Sequence, residues 1–344
     1  MLGIRLVGVQ CGPDNSTLNS LSSLHPHLNR FDAKEWSAAV ECVKAQFRLG
    51  YRPNALLLSA HLIRHGVVIA LAVLIAEWFK SWPVYLLALM LIGAHQVGLG
   101  IIGFHEGAHS LLHRKNGWNH RIGKFLITLV GGQVLQGYEH FKARHLTHHR
   151  YVNRALDPDA WAPSVIKRTP FWRHVLFFLS VICGIQYVRL CIGYMHKLFR
   201  FRRFVSLALL LMSSALVAAG AVLGVDACVL FVKYWLLPIA SWGFTVFYIR
   251  SYSEHPCVDQ ADDQLLVAYT HEIAPTWFDA MFVATSGFNY HLSHHLTPWV
   301  PFYYLPEVHR AVAADPVLGG SGILYRGYHR LLFSALVSRF CLYK

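Results

Sequence analysis

Apolar residues gather into long unbroken runs along this chain, with the polar residues crowded between them. Four runs reach the length of a bilayer-crossing helix, for which about 20 apolar residues are needed. They cover residues 61–80, 83–104, 204–224 and 228–249. Lys80 to Pro83 joins the first two and Val225 to Ala227 the second two. Turns this short make each pair a helical hairpin that returns the chain to its starting side. A fifth run, 172–195, carries His174, Gln186 and Arg189. A lipid-exposed crossing helix tolerates such residues poorly, so an interfacial or partly embedded helix is expected there. The pattern predicts an all-α integral membrane protein with four transmembrane helices arranged as two hairpins, interfacial helices and a histidine-rich cap on one face.

Around this unit, residues 1–55 read as a polar, partly helical lead-in. Residues 56–315 form the membrane domain, and 316–344 a C-terminal segment whose 325–344 stretch has the pattern of a basic amphipathic surface helix. The N-terminus turns polar too soon for a cleaved secretion signal. The lead-in carries no haem- or flavin-binding signature, so no fused electron-transfer domain is expected.

Composition sharpens this picture. Hydrophobic residues make up 55% and charged residues only 14%, against about a quarter charged in an ordinary soluble fold. The net charge of +13 comes from Lys and Arg residues that mostly flank the apolar runs, such as Arg200, Arg202 and Arg203. That placement suits anionic lipid headgroups better than nucleic acid. Residues 105–203 contain sixteen Lys or Arg, whereas the two hairpin turns offer only Lys80. By the positive-inside rule the histidine-bearing face is cytoplasmic. A bacterial inner membrane is expected rather than the endoplasmic reticulum. Seven scattered cysteines without a CxxC pair indicate neither a disulfide framework nor a thiolate metal site.

The 22 histidines carry the chemistry, and ten of them fall in four groups just beyond the spanning runs. The first is His105-Glu106-Gly-Ala-His109, followed by His113; residues four apart share a helical face. His145-Leu-Thr-His148-His149 and His291-Leu-Ser-His294-His295 follow, each with the i, i+3, i+4 spacing that puts three imidazoles on one stripe. His255 stands alone in RSYSEHP. Imidazole suits zinc, copper, iron and nickel alike. A catalytic zinc takes about three protein ligands, so eight or nine convergent histidines imply two ions. Nitrogen-rich, thiolate-free sites beside hydrocarbon point to iron, with copper chemically open. HEGAH also matches HExxH, in which two histidines hold zinc and the Glu is a general base, as in an intramembrane protease. That reading leaves both HxxHH groups unexplained.

In order and spacing these motifs resemble the histidine boxes of the membrane fatty acid desaturase and hydroxylase superfamily. Asn289-Tyr-His-Leu-Ser-His-His-Leu-Thr-Pro, with Val300-Pro-Phe-Tyr-Tyr-Leu-Pro and His309, is similar to the third box and tail of acyl-lipid desaturases. The resemblance covers roughly 60–315. It implies two iron ions held by His105, His109, His145, His148, His149, His255, His291, His294 and His295, with O2 as co-substrate. Asn289 would help through a bound water, Glu106 would orient a ligand imidazole, and Asp157 would do similar work or form a turn. His113 stays open as an extra ligand or a supporting group. The implied reaction is desaturation of a fatty acid or acyl lipid. The alternative is hydroxylation or ketolation of a lipid, carotenoid or small metabolite. The reducing partner would be a ferredoxin, rubredoxin or cytochrome b5-like protein, steered by Arg144, Arg150, Arg154, Lys167 and Arg168.

Overall fold

A computed structural model describes residues 33–48, 50–130, 138–152, 156–159, 171–194, 202–255, 270–320 and 324–331. The lead-in up to residue 32, the surface helix beyond residue 331, and Arg154, Lys167 and Arg168 lie outside the described residues.

Helix α1 (Ala33–Gln46) leads to the first hairpin. Helix α2 (Ala55–Phe79) starts where the Asn54 side chain accepts from the backbone N–H groups of Leu56 and Leu57 at 3.0 and 3.3 Å. It stops at Lys80, which takes the left-handed conformation at φ 47°. Pro83 then sits in the first turn of α3 (Trp82–Ile101), where its missing N–H costs nothing. A π-helical turn, Ile102–Glu106, extends α3 to the histidines. Of the most apolar stretch of α3, 72% is buried, against 17% for α2, so α3 is the central helix and α2 the lipid-facing one.

Helix α4 (Asn116–Val130) packs on the π turn of α3, and α5 (Tyr138–Tyr151) carries the second histidine box. The fifth apolar run forms α6 (Phe171–Ile182) and α7 (Ile185–Tyr194), bent by 72° at Gly184, whose φ of +77° breaks the helix. Helix α8 (Arg202–Leu223) and the composite helix α9 (Ala227–Ser253), capped by the Asp226 carboxylate, form the second hairpin. Two π turns flank Pro238 inside α9, where the missing proline N–H disturbs the regular ladder. Gly93 makes the crossing of α3 and α9 possible: a Cβ there would lie 2.6 Å from the Pro238 carbonyl and 2.8 Å from the Gly243 nitrogen. Helices α2, α3 and α9 are long and apolar enough to cross a bilayer, and the bent α6–α7 pair would qualify if counted as one broken span. The molecule is a mostly helical membrane protein.

The cap departs from an all-α plan in one detail. Strands β1 (Glu272–Ala274) and β2 (Leu324–Arg326) pair in parallel, Glu272 opposite Leu324. Helices α10 (Trp277–Phe282), α11 (His291–Leu296), α12 (Leu305–Ala314) and α13 (Pro316–Gly320) complete it. Residues 316–320 and 324–331, which hydropathy separates from the membrane domain, pack into this cap: Leu318 is fully buried, and the buried Tyr328 hydroxyl donates to Glu254 Oε1 at 3.2 Å.

Candidate metal centre

The histidine boxes meet at the cap end of α3. His105 lies in the π turn and His109 just past it, where the chain leaves the helix through Ser110 at φ +61°. His145, His148 and His149 come from α5, and His291, His294 and His295 from α11. His255 follows the last turn of α9.

These nine side chains form two groups, each with ligand nitrogens within 4.8 Å of one another: His105, His109, His145, His149 and His294, and then His148, His255, His291 and His295. The boxes interlock. In each HxxHH motif the i, i+4 pair enters one group and the middle histidine the other, because one residue of rotation is about 100° on a helix. The single stripe of three imidazoles expected from spacing is therefore split between two centres. The Nε2 atoms face one another at 2.8 Å for His109 and His145, 3.1 Å for His149 and His145, and 2.9 Å for His294 and His149. In the second group His291 and His255 stand 2.9 Å apart and His295 and His291 3.2 Å. His148 and His295, in this same group, lie 3.3 Å apart.

Carboxylates fix the tautomers from behind. Glu106 Oε1 lies 3.1 Å from His105 Nδ1, and its other oxygen accepts from the Phe302 N–H at 3.1 Å. Asp157 Oδ1 lies 2.9 Å from His148 Nδ1 and also accepts from the Asp159 N–H at 2.8 Å, so it both orients an imidazole and closes a turn. Glu254 Oε2 is 3.6 Å from His291 Nδ1, close enough for charge attraction but beyond hydrogen-bond reach. A carboxylate at Nδ1 keeps the proton there and leaves the Nε2 lone pair aimed inward. Burial lowers the pKa of His109 to about 4 and that of His149 to about 2. It holds His145, His291, His294 and His295 well below the ordinary value. Neutral imidazoles whose lone pairs converge repel one another unless a cation lies between them, so this donor set fits two metal ions.

His113 belongs to neither group. The helix that would have carried it onto the face of His105 and His109 ends at Ser110, and His113 Nδ1 accepts from the Lys115 N–H at 2.9 Å. Asn289 is buried, and its amide donates to the Ile273 carbonyl at 2.8 Å, tying β1 to the third box.

Sequence reasoning missed three supports. Buried Glu272 accepts from the N–H and hydroxyl of Ser293 and lies 2.9 Å from His309 Nδ1, which anchors α11 from below. Arg250 pairs with Glu254 at 2.6 Å, and Tyr328 completes that cluster. Phe288 meets the His105 ring edge-on at 4.6 Å between centroids. The one signal available for Glu254 was its place beside His255.

The architecture and this centre define a class. Residues 80–329, well over half of the chain, match the family described as Fatty acid desaturase, and the chain belongs to that family of membrane oxidoreductases. It is similar to dihydrorhizobitoxine desaturase of Bradyrhizobium elkanii, 24% identical over 87% of this chain and 86% of that protein. A chloroplastic omega-6 fatty acid desaturase of Glycine max is 26% identical over 67% of this chain and 57% of its own length. The sn-1 oleoyl-lipid 12-desaturase of a Picosynechococcus strain is 24% identical over 69% of this chain and 70% of its own length.

Proposed function

We propose that this protein is an O2-dependent di-iron desaturase that inserts a double bond into an aliphatic chain of a fatty acid or acyl lipid. The observation that carries the reading is the interlocked pair of buried imidazole groups, five and four strong, in a chain of the desaturase family. His105, His109, His145, His149 and His294 would hold one ion, and His148, His255, His291 and His295 the other. When bound, the irons supply the dioxygen reduction and C–H cleavage that no side chain can perform. The protein holds the imidazoles neutral, orients His105 and His148 through Glu106 and Asp157, and keeps the site dry. Glu106 spends both oxygens on His105 and Phe302, which argues against its being the free base of a zinc protease.

A small apolar cavity lined by Val97, Gly100, Ile127, Val130, Ile239 and Phe244 lies among α3, α4 and α9. The four-span, cytoplasm-facing topology rests on the basic residues of the cap. The external two-electron donor would be a ferredoxin, rubredoxin or cytochrome b5-like protein meeting that basic face. A second reading is desaturation of a small metabolite. It is favoured by the longer match to the dihydrorhizobitoxine enzyme than to the fatty acid enzymes.

Expression in a host of defined lipid composition, followed by mass spectrometry, tests the reaction. Products lighter by two hydrogens are expected. Products gaining one oxygen would make it a hydroxylase, and one zinc per chain without iron would overturn the di-iron assignment.

A further inference from the structure

Helix α4 runs beside α3 and antiparallel to it. Val130 and Ile127 stand at the level of Gly100 and Val97, and Leu126 at the level of Gly103. Asn119 stands at the level of Leu112 and His113, beyond His109. The turn between the two helices, with the first residues of α4, is therefore the part of this pair farthest from the bilayer core. Its side chains belong to neither histidine group.

This turn is tightly tied. The buried Asn119 side chain accepts from the N–H groups of Leu112 and His113 at 2.8 and 2.9 Å and donates to the His113 carbonyl at 2.7 Å. His113 faces Trp118 at 6.1 Å between ring centroids. Trp118 is 47% exposed, and the Arg121 guanidinium lies over its ring at 5.3 Å. Arg114, Lys115 and Arg121 are exposed and have no carboxylate partner among the described residues. Lys124 is already paired with Glu139, and Arg144 with Asp159, each at 2.6 Å. Tryptophan and arginine are the side chains that most often carry binding energy at protein interfaces. Unpaired cations draw in an acidic surface and speed its encounter.

The patch also lies close to the metal groups. His113 is four residues past His109, so their backbones are within about 14 Å of each other. His109 is only half-buried, and the Lys142 ammonium on α5 is near enough for its charge to act on that imidazole. Electron transfer slows steeply with distance, so a carrier must dock where the metal ligands come nearest the surface.

Resting on the desaturase reading above, we propose that Trp118, with Arg114, Lys115 and Arg121 around it, is the docking site of the electron donor, an acidic one-electron carrier protein. Electrons then enter on the His109 side of the five-imidazole group. Converting two neighbouring methylenes to an alkene gives two hydrogens to O2, and two electrons and two protons from outside complete two waters. A one-electron carrier therefore docks twice per turnover.

The test is binding of three acidic carriers, a plant-type ferredoxin, a rubredoxin and cytochrome b5, to the iron-loaded full chain in neutral-lipid nanodiscs, read by surface plasmon resonance at low and high salt. At least one is expected to bind, and more weakly as salt rises. Trp118→Ala should weaken that binding by about tenfold or more. Joint Arg114→Glu, Lys115→Glu and Arg121→Glu should weaken it further and flatten its salt dependence, whereas Arg144→Ala should cost less than either. Iron content and unfolding midpoint should stay at the wild-type values. Binding unchanged in both patch variants, a larger loss from Arg144→Ala, or no binding of any carrier would overturn the proposal. So would quenching, by brominated anionic lipid, of the fluorescence that Trp118→Phe removes, since the patch would then rest on the bilayer. Binding is read apart from turnover, so a carrier that docks at Trp118 on a protein that forms no alkene counts against the desaturase reading alone.

Discussion

The two histidine groups differ in how they are built. The five-imidazole group has one carboxylate behind it, Glu106 at His105. The four-imidazole group has two, Asp157 at His148 and Glu254 at His291, and Glu254 is itself balanced by Arg250. One group is rich in ligands and lightly supported; the other is poorer in ligands and more firmly held. A metal with fewer protein ligands keeps a position for an outside molecule, as catalytic sites do. The difference suggests that the four-imidazole side is the more open to dioxygen and the less tolerant of losing a ligand.

The largest effect should come from removing one imidazole on each side. His148→Ala and His294→Ala should both abolish alkene formation. His148→Ala leaves three histidines in its group and should lose about one iron per chain. His294→Ala leaves four and should retain more metal. Elemental analysis of the two purified variants checks this. Equal iron loss would erase the distinction between the groups, and full activity in both would sink the di-iron assignment.

Next come the carboxylates. Removing an orienting partner of a ligand histidine costs about 10–100-fold in metal affinity or activity. Asp157→Asn combined with Glu254→Gln should therefore lower iron affinity more than Glu106→Gln. A chelator titration followed by residual activity ranks them, and a larger defect in Glu106→Gln would reverse the comparison.

How much of this was readable beforehand depends on the range of the contacts. The nine histidines announce themselves because three- and four-residue spacings are local, and the spanning helices because a run of apolar residues is local too. The split of each HxxHH motif was not readable, since it depends on two helices approaching from opposite sides. His113 shows the limit of spacing: four residues past His109 means the same face only while the helix lasts, and Ser110 ends it. Glu254, Glu272 and Tyr328 were hidden for a different reason. Arg250 and Glu254 stand four apart on one helix, but Glu272 meets Ser293 and His309, and Tyr328 meets Glu254, only in the folded cap.

A smaller, graded effect is expected from pH. The folded pKa of His109 is depressed from 6.5 to about 4, chiefly by burial. Between those values the unfolded chain binds a proton that the folded chain refuses, so the metal-free protein is fully stable above 6.5 and loses stability as pH falls toward 4. His145, His149 and His294 of the same group act in the same direction. Thermal unfolding of the metal-free protein across that range should show a falling midpoint. A flat profile would mean that the five-imidazole group is hydrated rather than buried before metal enters.

Asn289 gives the smallest and most discriminating change. Two residues before the first histidine of the third box, it has two readings: a water-bridging partner of the metal, or a clamp on the cap. Its amide donates to the Ile273 carbonyl, its own carbonyl accepts from the Ile273 N–H at 3.0 Å, and Ile273 is fully buried in β1. Asn289→Ala removes only the side-chain bond and leaves a buried carbonyl short of a partner, at about 1–3 kcal/mol. The backbone bond survives, and Glu272 still holds α11 through Ser293. The expected variant unfolds a few degrees lower yet keeps both irons and most of its activity. Loss of iron from the four-imidazole side with an unchanged unfolding midpoint would instead assign Asn289 to the metal and show that this group depends on more than its two carboxylates.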